Sequence, residues 1–184
     1  MKNFLVKIVL LLLFGTNVYA ENLKFTKIND LDKPWGSSFI SDSEIIVTEK
    51  SGKIKIINIK NGNVTKVDHN LNFLESGQGG LLDIIYKDNY LWVSYTEKRG
   101  NSETSTSIAK GKFNRNKIDF KNIFQANPPI NSGYHFGSRL AIRDNYIFAS
   151  VGERGQGMIA QDPTQHPGSI IRVHLDGSIP KDNP

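Results

Sequence analysis

One short segment recurs along the chain and limits its possible folds more than any other feature. Residues 88–94 read DNYLWVS and residues 144–150 read DNYIFAS, an offset of 56 positions, while residues 42–48 read DSEIIVT as a weaker third copy. Each copy joins an Asp-led turn signal to a run of β-branched or aromatic residues. The copies therefore predict the same turn and strand in successive units of a repeated fold.

Further strand patterns surround these copies, and long helical periodicity is missing after residue 20. Short apolar runs bounded by Gly, Asn and Asp predict strands at 44–48, 53–59, 81–86, 90–95, 107–113, 117–124, 139–142, 146–151 and 169–175. Repeats of about 45 to 55 residues, each with about four short strands, are typical of β-propeller blades. We therefore predict an all-β fold of the β-propeller class.

The length of the chain indicates how much of a propeller it holds. At roughly 50 residues per blade, residues 21–184 contain about three blades, whereas closed propellers have about four to eight. We therefore expect residues 21–184 to be the N-terminal part of a single propeller domain that belongs to a longer protein. A complete small β-sandwich is the alternative.

The first twenty residues are of a different kind. Lys2 and Lys7 precede the apolar run 8–14, and the small residues Val18 and Ala20 follow it, which is the pattern of a secretory signal peptide. We predict cleavage after Ala20 and export of residues 21–184, most simply to the periplasm. Because the apolar run is far shorter than a bilayer requires, no membrane span is expected after cleavage.

Composition and charge remove several classes of function. The chain has no cysteine, which excludes disulfides, thiolate metal sites and a cysteine nucleophile. Cleavage would remove two lysines and lower the formal net charge from +5 to +3, and the remaining lysines are spread among acidic residues. A nucleic acid is therefore not expected as a partner.

A histidine and a glutamate form the candidate catalytic pair. His135 stands at the entrance of the strand predicted at 139–142, and Glu153 follows the next strand, so an antiparallel pairing would bring the two side chains together. A carboxylate beside an imidazole fixes its tautomer and stabilises its protonated form, as a general base requires. Structural roles for both residues remain the alternative. The other three histidines are assigned to structural positions: a solvated polar loop for His69, a turn for His166 and the surface of a strand for His174.

Two glycine-rich segments are candidates for binding loops. Residues 77–80, GQGG, place Gln78 among glycines at a strand entrance, although a simple turn explains the glycines as well. Residues 152–157, GERGQG, lack the glycine spacing of a nucleotide-binding loop and precede no helical pattern. The sequence therefore offers Gln78 as a candidate pocket residue and does not predict a nucleotide site.

Four motifs in a fixed order extend this interpretation. They are GQGGLL at 77–82, HFGSRL at 135–140, VGERGQ at 151–156, and GSIIRV at 168–173 followed by DGSIPKDNP at 176–184. In this order they resemble the N-terminal half of the pyrroloquinoline quinone-dependent soluble aldose sugar dehydrogenases. The resemblance covers about residues 30–184.

The resemblance implies a six-bladed propeller that carries the quinone and calcium at the mouth of its channel and oxidises the anomeric carbon of aldoses to a lactone. His135 would be the general base, and Glu153 would orient it from a position where the family commonly has Asp. Gln78 would line the sugar and quinone pocket, and Arg139 would have a supporting role there.

The resemblance also implies an external electron acceptor and places most calcium ligands and quinone-holding basic residues beyond Pro184. No metal ligand is therefore assigned within this chain, which is expected to be inactive on its own. A non-catalytic secreted propeller that binds carbohydrate or protein is the alternative function, and a calcium-dependent lactone hydrolase is a third.

Overall fold

The computed structural model describes residues 23–183. The predicted signal peptide, residues 1–20, and the terminal Pro184 lie outside these residues. Across the described part, the only helical element is a 3₁₀ helix, Gly157–Gln161. None of the helical structure there has the length and apolar character needed to cross a membrane.

Within residues 23–183, twelve β-strands form nearly all of the regular structure. They are β1 Pro34–Ser41, β2 Glu44–Glu49, β3 Lys53–Asn58, β4 Val64–His69, β5 Leu81–Lys87, β6 Tyr90–Arg99, β7 Glu103–Lys112, β8 Lys117–Ile118, β9 Lys121–Gln125, β10 Gly137–Arg143, β11 Tyr146–Val151 and β12 Ile170–His174. The predicted strands all fall on observed ones. The strand predicted at 117–124 is divided into β8 and β9.

The strands form three sheets that follow one another along the chain. The first has the order β1-β2-β3-β4, with β8 added in parallel to β4, the second β5-β6-β7-β9 and the third β10-β11-β12. Apart from β8, neighbouring strands are antiparallel. Successive antiparallel sheets of this kind are propeller blades, whereas a sandwich would divide its strands between two facing sheets. The fold is therefore all-β and a partial β-propeller of about three blades.

Two strands were not predicted from the sequence. The strand β1 reads PWGSSFIS, in which Pro, Gly and Ser hide the strand pattern, and β4 reads VTKVDH with only Val67 buried. Both segments form strands because they pair with an apolar neighbour: β1 pairs with β2, and β4 pairs with β3. Tertiary context therefore outweighs local propensity at both positions.

The core consists of one apolar cluster for each pair of neighbouring blades. The first cluster joins blades one and two through side chains such as Ile46, Ile54, Ile84 and Val93. The second joins blades two and three and is built around Trp92, with Ile108, Ile147 and Val173 among its members. Each blade therefore buries its faces only against its neighbours, as radial repetition requires.

Each sequence repeat ends in a hydroxyl residue, and two of these hydroxyls link neighbouring blades. In the second blade, Ser94 of β6 accepts a hydrogen bond from the backbone N–H of Asp83 in β5 (2.9 Å) and donates one to the carbonyl of Ser138 in β10 (2.6 Å). The register of β5 against β6 is interrupted at this point. The hydroxyl thus satisfies a donor that the ladder leaves free and an acceptor in the next blade.

In the other two copies the hydroxyl also accepts a hydrogen bond from the first strand of its own blade, and in one of them it reaches the next blade as well. Thr48, the last residue of the copy at 42–48, accepts from Gly36 N–H (3.0 Å) and donates to the carbonyl of Leu82 in the next blade. Ser150, the last residue of the copy at 144–150, accepts from Arg139 N–H of the same blade (3.1 Å). The repeat found in the sequence therefore corresponds to a repeated contact between the first two strands of each blade, and for Thr48 and Ser94 also to a contact with the following blade.

Removing one of these hydroxyls should destabilise the fold measurably. Ser94→Ala leaves the buried Asp83 N–H and Ser138 carbonyl without partners, so we expect the free energy of unfolding to fall by about 1–3 kcal/mol. Chemical denaturation measures the change. Ser102→Ala, at an exposed turn, is the matched control, and an equal loss in both variants would contradict the linking role.

Candidate active site

His135 occupies the loop that enters the inner strand of the third blade. Its backbone has φ +49°, an uncommon conformation for a residue other than glycine. The backbone N–H donates to Oε1 of Gln78, which comes from the loop before the second blade (2.9 Å). Since strained backbone persists only where its surroundings enforce it, Gln78 is one of the groups that fix the position of His135.

Gly152, at the end of β11, supports the same backbone from the other side. Its N–H donates to the carbonyl of Phe136 (3.1 Å). A β-carbon at this glycine would lie 1.8 Å from the carbonyl oxygen of His135, so only glycine permits the close approach. The segment that carries the imidazole is therefore fixed between two blades.

The predicted catalytic pair is in direct contact. Nδ1 of His135 contacts Oε1 of Glu153, and the same oxygen accepts from Gly155 N–H (3.1 Å). The Glu side chain, one methylene longer than Asp, is accommodated without loss of this contact. With its proton on Nδ1, the imidazole has its Nε2 lone pair free to accept another proton.

Exposure and charge at the pair suit a group that exchanges protons. The side chain of His135 is 53% exposed and that of Glu153 is 27% exposed. The hydrogen bond with His135 is the main cause that holds the pKa of Glu153 below its ordinary value, against a smaller opposing effect of burial. Glu153 therefore remains a carboxylate in mildly acidic solution and can stabilise an imidazolium.

Arg139, in β10, makes a separate set of contacts. Its guanidinium donates to Oδ1 of Asp83 (3.1 Å) and stacks on the ring of Trp35, with 4.3 Å from Cζ to the ring centroid. Asp83 also accepts from Leu140 N–H (2.8 Å). The inner strands of three blades, β1, β5 and β10, are thus joined here. The structure brings Gln78, His135 and Glu153 together and ties Arg139 to Asp83 and Trp35.

Three residues of this region were missed by sequence reasoning. Asp83 and Trp35 support Arg139, and Arg154 anchors the loop that carries His135. Asp83 carried a usable signal, since a carboxylate inside the apolar run LLDII requires a buried partner. Arg154 stood in the glycine-rich segment that the sequence left without a function.

The remaining histidines have structural contacts elsewhere. His69 is half-buried, and its Nε2 contacts the carbonyl of Gly52 (2.7 Å), so its assignment to a solvated loop was wrong. Nδ1 of His166 accepts from Asn127 N–H (2.9 Å), and burial lowers the pKa of His166. His174 stacks on Tyr146. Within residues 23–183, none of these three is paired with a carboxylate.

The contact between His135 and Glu153 can be tested by titration. In His135→Ala the pKa of Glu153 should rise toward its ordinary value, because the main cause of its depression is removed. A depressed carboxyl pKa stabilises the fold above the unfolded-state pKa, and this stabilisation is lost as the pH falls through the folded-state pKa. Carboxyl-¹³C NMR, assigned with Glu153→Gln, measures the shift. His174→Ala is the control, and an unchanged Glu153 titration in His135→Ala would contradict the contact.

The fold and the site together define a class of protein. It is a partial β-propeller with a carboxylate-oriented histidine at the entrance of an inner strand. The sequence model of the family described as Glucose / Sorbosone dehydrogenase matches residues 31–184. The chain therefore belongs to this family, and the resemblance found from its motifs is confirmed.

Two curated relatives show the same relationship. The aldose sugar dehydrogenase YliI of Escherichia coli is 30% identical over 164 residues, which cover 84% of this chain and 44% of the relative. The quinoprotein glucose dehydrogenase B of Acinetobacter calcoaceticus is 27% identical over 202 residues, covering 90% of this chain and 42% of the relative. The chain spans about half the length of the curated relatives it matches.

A solved structure agrees with the blades described above. The crystal structure of the soluble aldose sugar dehydrogenase from Escherichia coli in the apo-form has a TM-score of 0.79 and is 30% identical. The match covers 84% of this chain and 47% of that chain. The two chains therefore share their fold over the part that they have in common.

Proposed function

We propose that the protein containing this chain oxidises aldose sugars at the anomeric carbon to lactones, with pyrroloquinoline quinone as hydride acceptor. One observation carries the proposal: the imidazole of His135 is oriented through Nδ1 by Glu153, which leaves Nε2 free. The family membership and the relatives named aldose sugar dehydrogenase and quinoprotein glucose dehydrogenase support it.

The proposed chemistry assigns a task to each residue of the pair. Nε2 of His135 accepts the proton of the anomeric hydroxyl, and the anomeric C–H bond breaks as the lactone carbonyl forms. When bound, the quinone supplies the two-electron acceptor that takes up the hydride. Glu153 stabilises the imidazolium that results from proton transfer. The proton and the electron pair are thereby both accounted for.

The donor chemistry of the described residues fits one side of such a quinone. The quinone has carbonyl and carboxylate oxygens, which accept hydrogen bonds. Gln78 is exposed beside His135. Its amide oxygen accepts the hydrogen bond from the His135 N–H, so its amide nitrogen can donate to a cofactor. Arg139 is 62% exposed and supplies a cation, although it is already paired with Asp83.

We propose that most of the calcium ligands come from beyond Pro184. Within residues 23–183 there is no group of three or more His, Asp or Glu side chains arranged to hold a metal ion, whereas calcium takes six to eight oxygen ligands. We further propose that the 184-residue chain is inactive alone and that the whole protein acts in the periplasm and passes its electrons to an external acceptor.

Reduction of a dye in the presence of an aldose tests the proposal. The preparations are the 184-residue chain and the longest product of its reading frame, each assayed with and without added quinone and calcium. We expect the longer product alone to reduce the dye, and only when quinone, calcium and sugar are all present. Sugar binding without reduction would favour the binding propeller, and lactone hydrolysis without reduction would favour the hydrolase.

A further inference from the structure

Arg154 is a buried cation that the proposed chemistry does not use. It directly follows Glu153, and its side chain is 2% exposed. Among residues 23–183 no carboxylate lies within ion-pair distance of its guanidinium. Burial lowers the pKa of Arg154 to about 10, so the group still carries its charge at neutral pH. A buried charge without a counter-ion is costly unless polar groups surround it.

Backbone carbonyls take the place of a carboxylate partner. Nε donates to the carbonyl of Tyr134 (3.0 Å), and Nη2 donates to the carbonyl of Ser132. Both carbonyls belong to the loop that leads directly into His135. Hydrogen bonds from a charged donor are stronger than neutral ones, so the loop before His135 is tied firmly to the residue that follows Glu153.

The same guanidinium contacts two further residues. Nη1 and Nη2 donate to the carbonyl (3.0 Å) and to Oγ1 (2.7 Å) of Thr104, a buried residue of β7 in the second blade. The guanidinium also stacks on Phe136, with 3.6 Å from Cζ to the ring centroid. Arg154 therefore contacts the chain on both sides of His135 and anchors it to a strand of another blade.

We propose that Arg154 is a positioning residue, which presents the imidazole of His135 to Glu153 and to the substrate by clamping the loop 132–136 against β7. This inference rests on the proposed function, because it assigns to Arg154 the task of aiming the proposed base. The planar fork of arginine makes all these contacts at once, whereas the single ammonium of lysine cannot.

The first test follows the imidazole itself and does not depend on turnover. In protein labelled with ¹⁵N-histidine, the His135 signals are assigned with His135→Ala, and the exchange of its Nδ1 proton with water is measured. We expect Arg154→Lys to accelerate this exchange by about tenfold or more, because the contact with Glu153 opens more often. Arg172→Lys is the matched control, since Arg172 also stacks on a ring, that of Tyr146.

The second test uses sugar oxidation by the quinone-loaded protein. A misplaced base lowers kcat, by about 10- to 100-fold for displacements on the order of 1 Å, and has little effect on ground-state binding. We therefore expect Arg154→Lys to lower kcat to this extent and to change KM for the aldose by less than about twofold. Arg172→Lys should leave both parameters unchanged.

A milder variant, Thr104→Val, tests the same contact in case Arg154→Lys does not fold. Thr104→Val keeps the shape of the side chain and removes only the oxygen that accepts from Nη2 of Arg154 and donates to the carbonyl of Ile130. It should shift the exchange rate and kcat in the same direction as Arg154→Lys, by a smaller factor. A wild-type exchange rate in both variants, or an equal loss in Arg172→Lys, would overturn the positioning role. If the wild-type protein oxidises no sugar, the proposed function fails, and the exchange measurement still decides the role of Arg154.

Discussion

His135→Ala should lower the kcat of sugar oxidation by about 10²- to 10⁴-fold, the contribution expected of a general base. The variant removes the group that accepts the anomeric proton, and water must then take its place. The contacts that Arg154 makes with the loop 132–136 do not involve the imidazole, so the fold and the affinity for the aldose should change little. The effect should therefore fall on kcat, with KM within a fewfold of wild type.

His174→Ala is the matched control for this experiment. His174 lies in β12 and stacks on Tyr146, and it has no part in the proposed chemistry. We expect this variant to keep the wild-type kcat. Turnover by His135→Ala at the wild-type rate would exclude His135 as the base and leave the carboxylate of Glu153 as the nearest group able to accept a proton.

The features that could be predicted from the sequence depend on local periodicity. The second strand of each blade is apolar and begins after an Asp-led turn, so β2, β6 and β11 were recognised as copies of one unit. The contact between His135 and Glu153 followed from a single antiparallel pairing, that of β10 with β11. A relationship of this kind requires only two adjacent strands and is therefore readable from a linear pattern.

The features that could not be predicted depend on contacts between blades. Gln78 holds the His135 N–H across 57 sequence positions, and Arg154 reaches Thr104 across 50 positions. Neither contact can be inferred from a local sequence pattern, because each depends on how two blades pack side by side. Arg154 is also buried, whereas charged residues are usually exposed. Backbone carbonyls compensate for this burial, and no sequence motif indicates which carbonyls they are.

Gly152→Ala should be among the most damaging single changes in the described part of the chain. The added β-carbon would lie 1.8 Å from the carbonyl oxygen of His135, and backbone atoms cannot move aside as a flexible side chain can. Overpacking that forces a backbone shift costs about 1–3 kcal/mol and occasionally more, and a contact this short places Gly152→Ala at the upper end of that range, about 3 kcal/mol. Chemical denaturation should show a loss of this size.

The same shift should also affect the proposed chemistry, because the displaced carbonyl belongs to the residue that carries the base. We expect folded Gly152→Ala protein to lose about 10²-fold or more in kcat, as for a base displaced by about 1 Å. Gly133→Ala is the control, since its β-carbon would meet its nearest neighbours at ordinary distances of 3.4 Å and more. It should change the free energy of unfolding by less than about 1 kcal/mol. If Gly152→Ala is as stable and as active as Gly133→Ala, the close approach of Gly152 to His135 is not what fixes the imidazole.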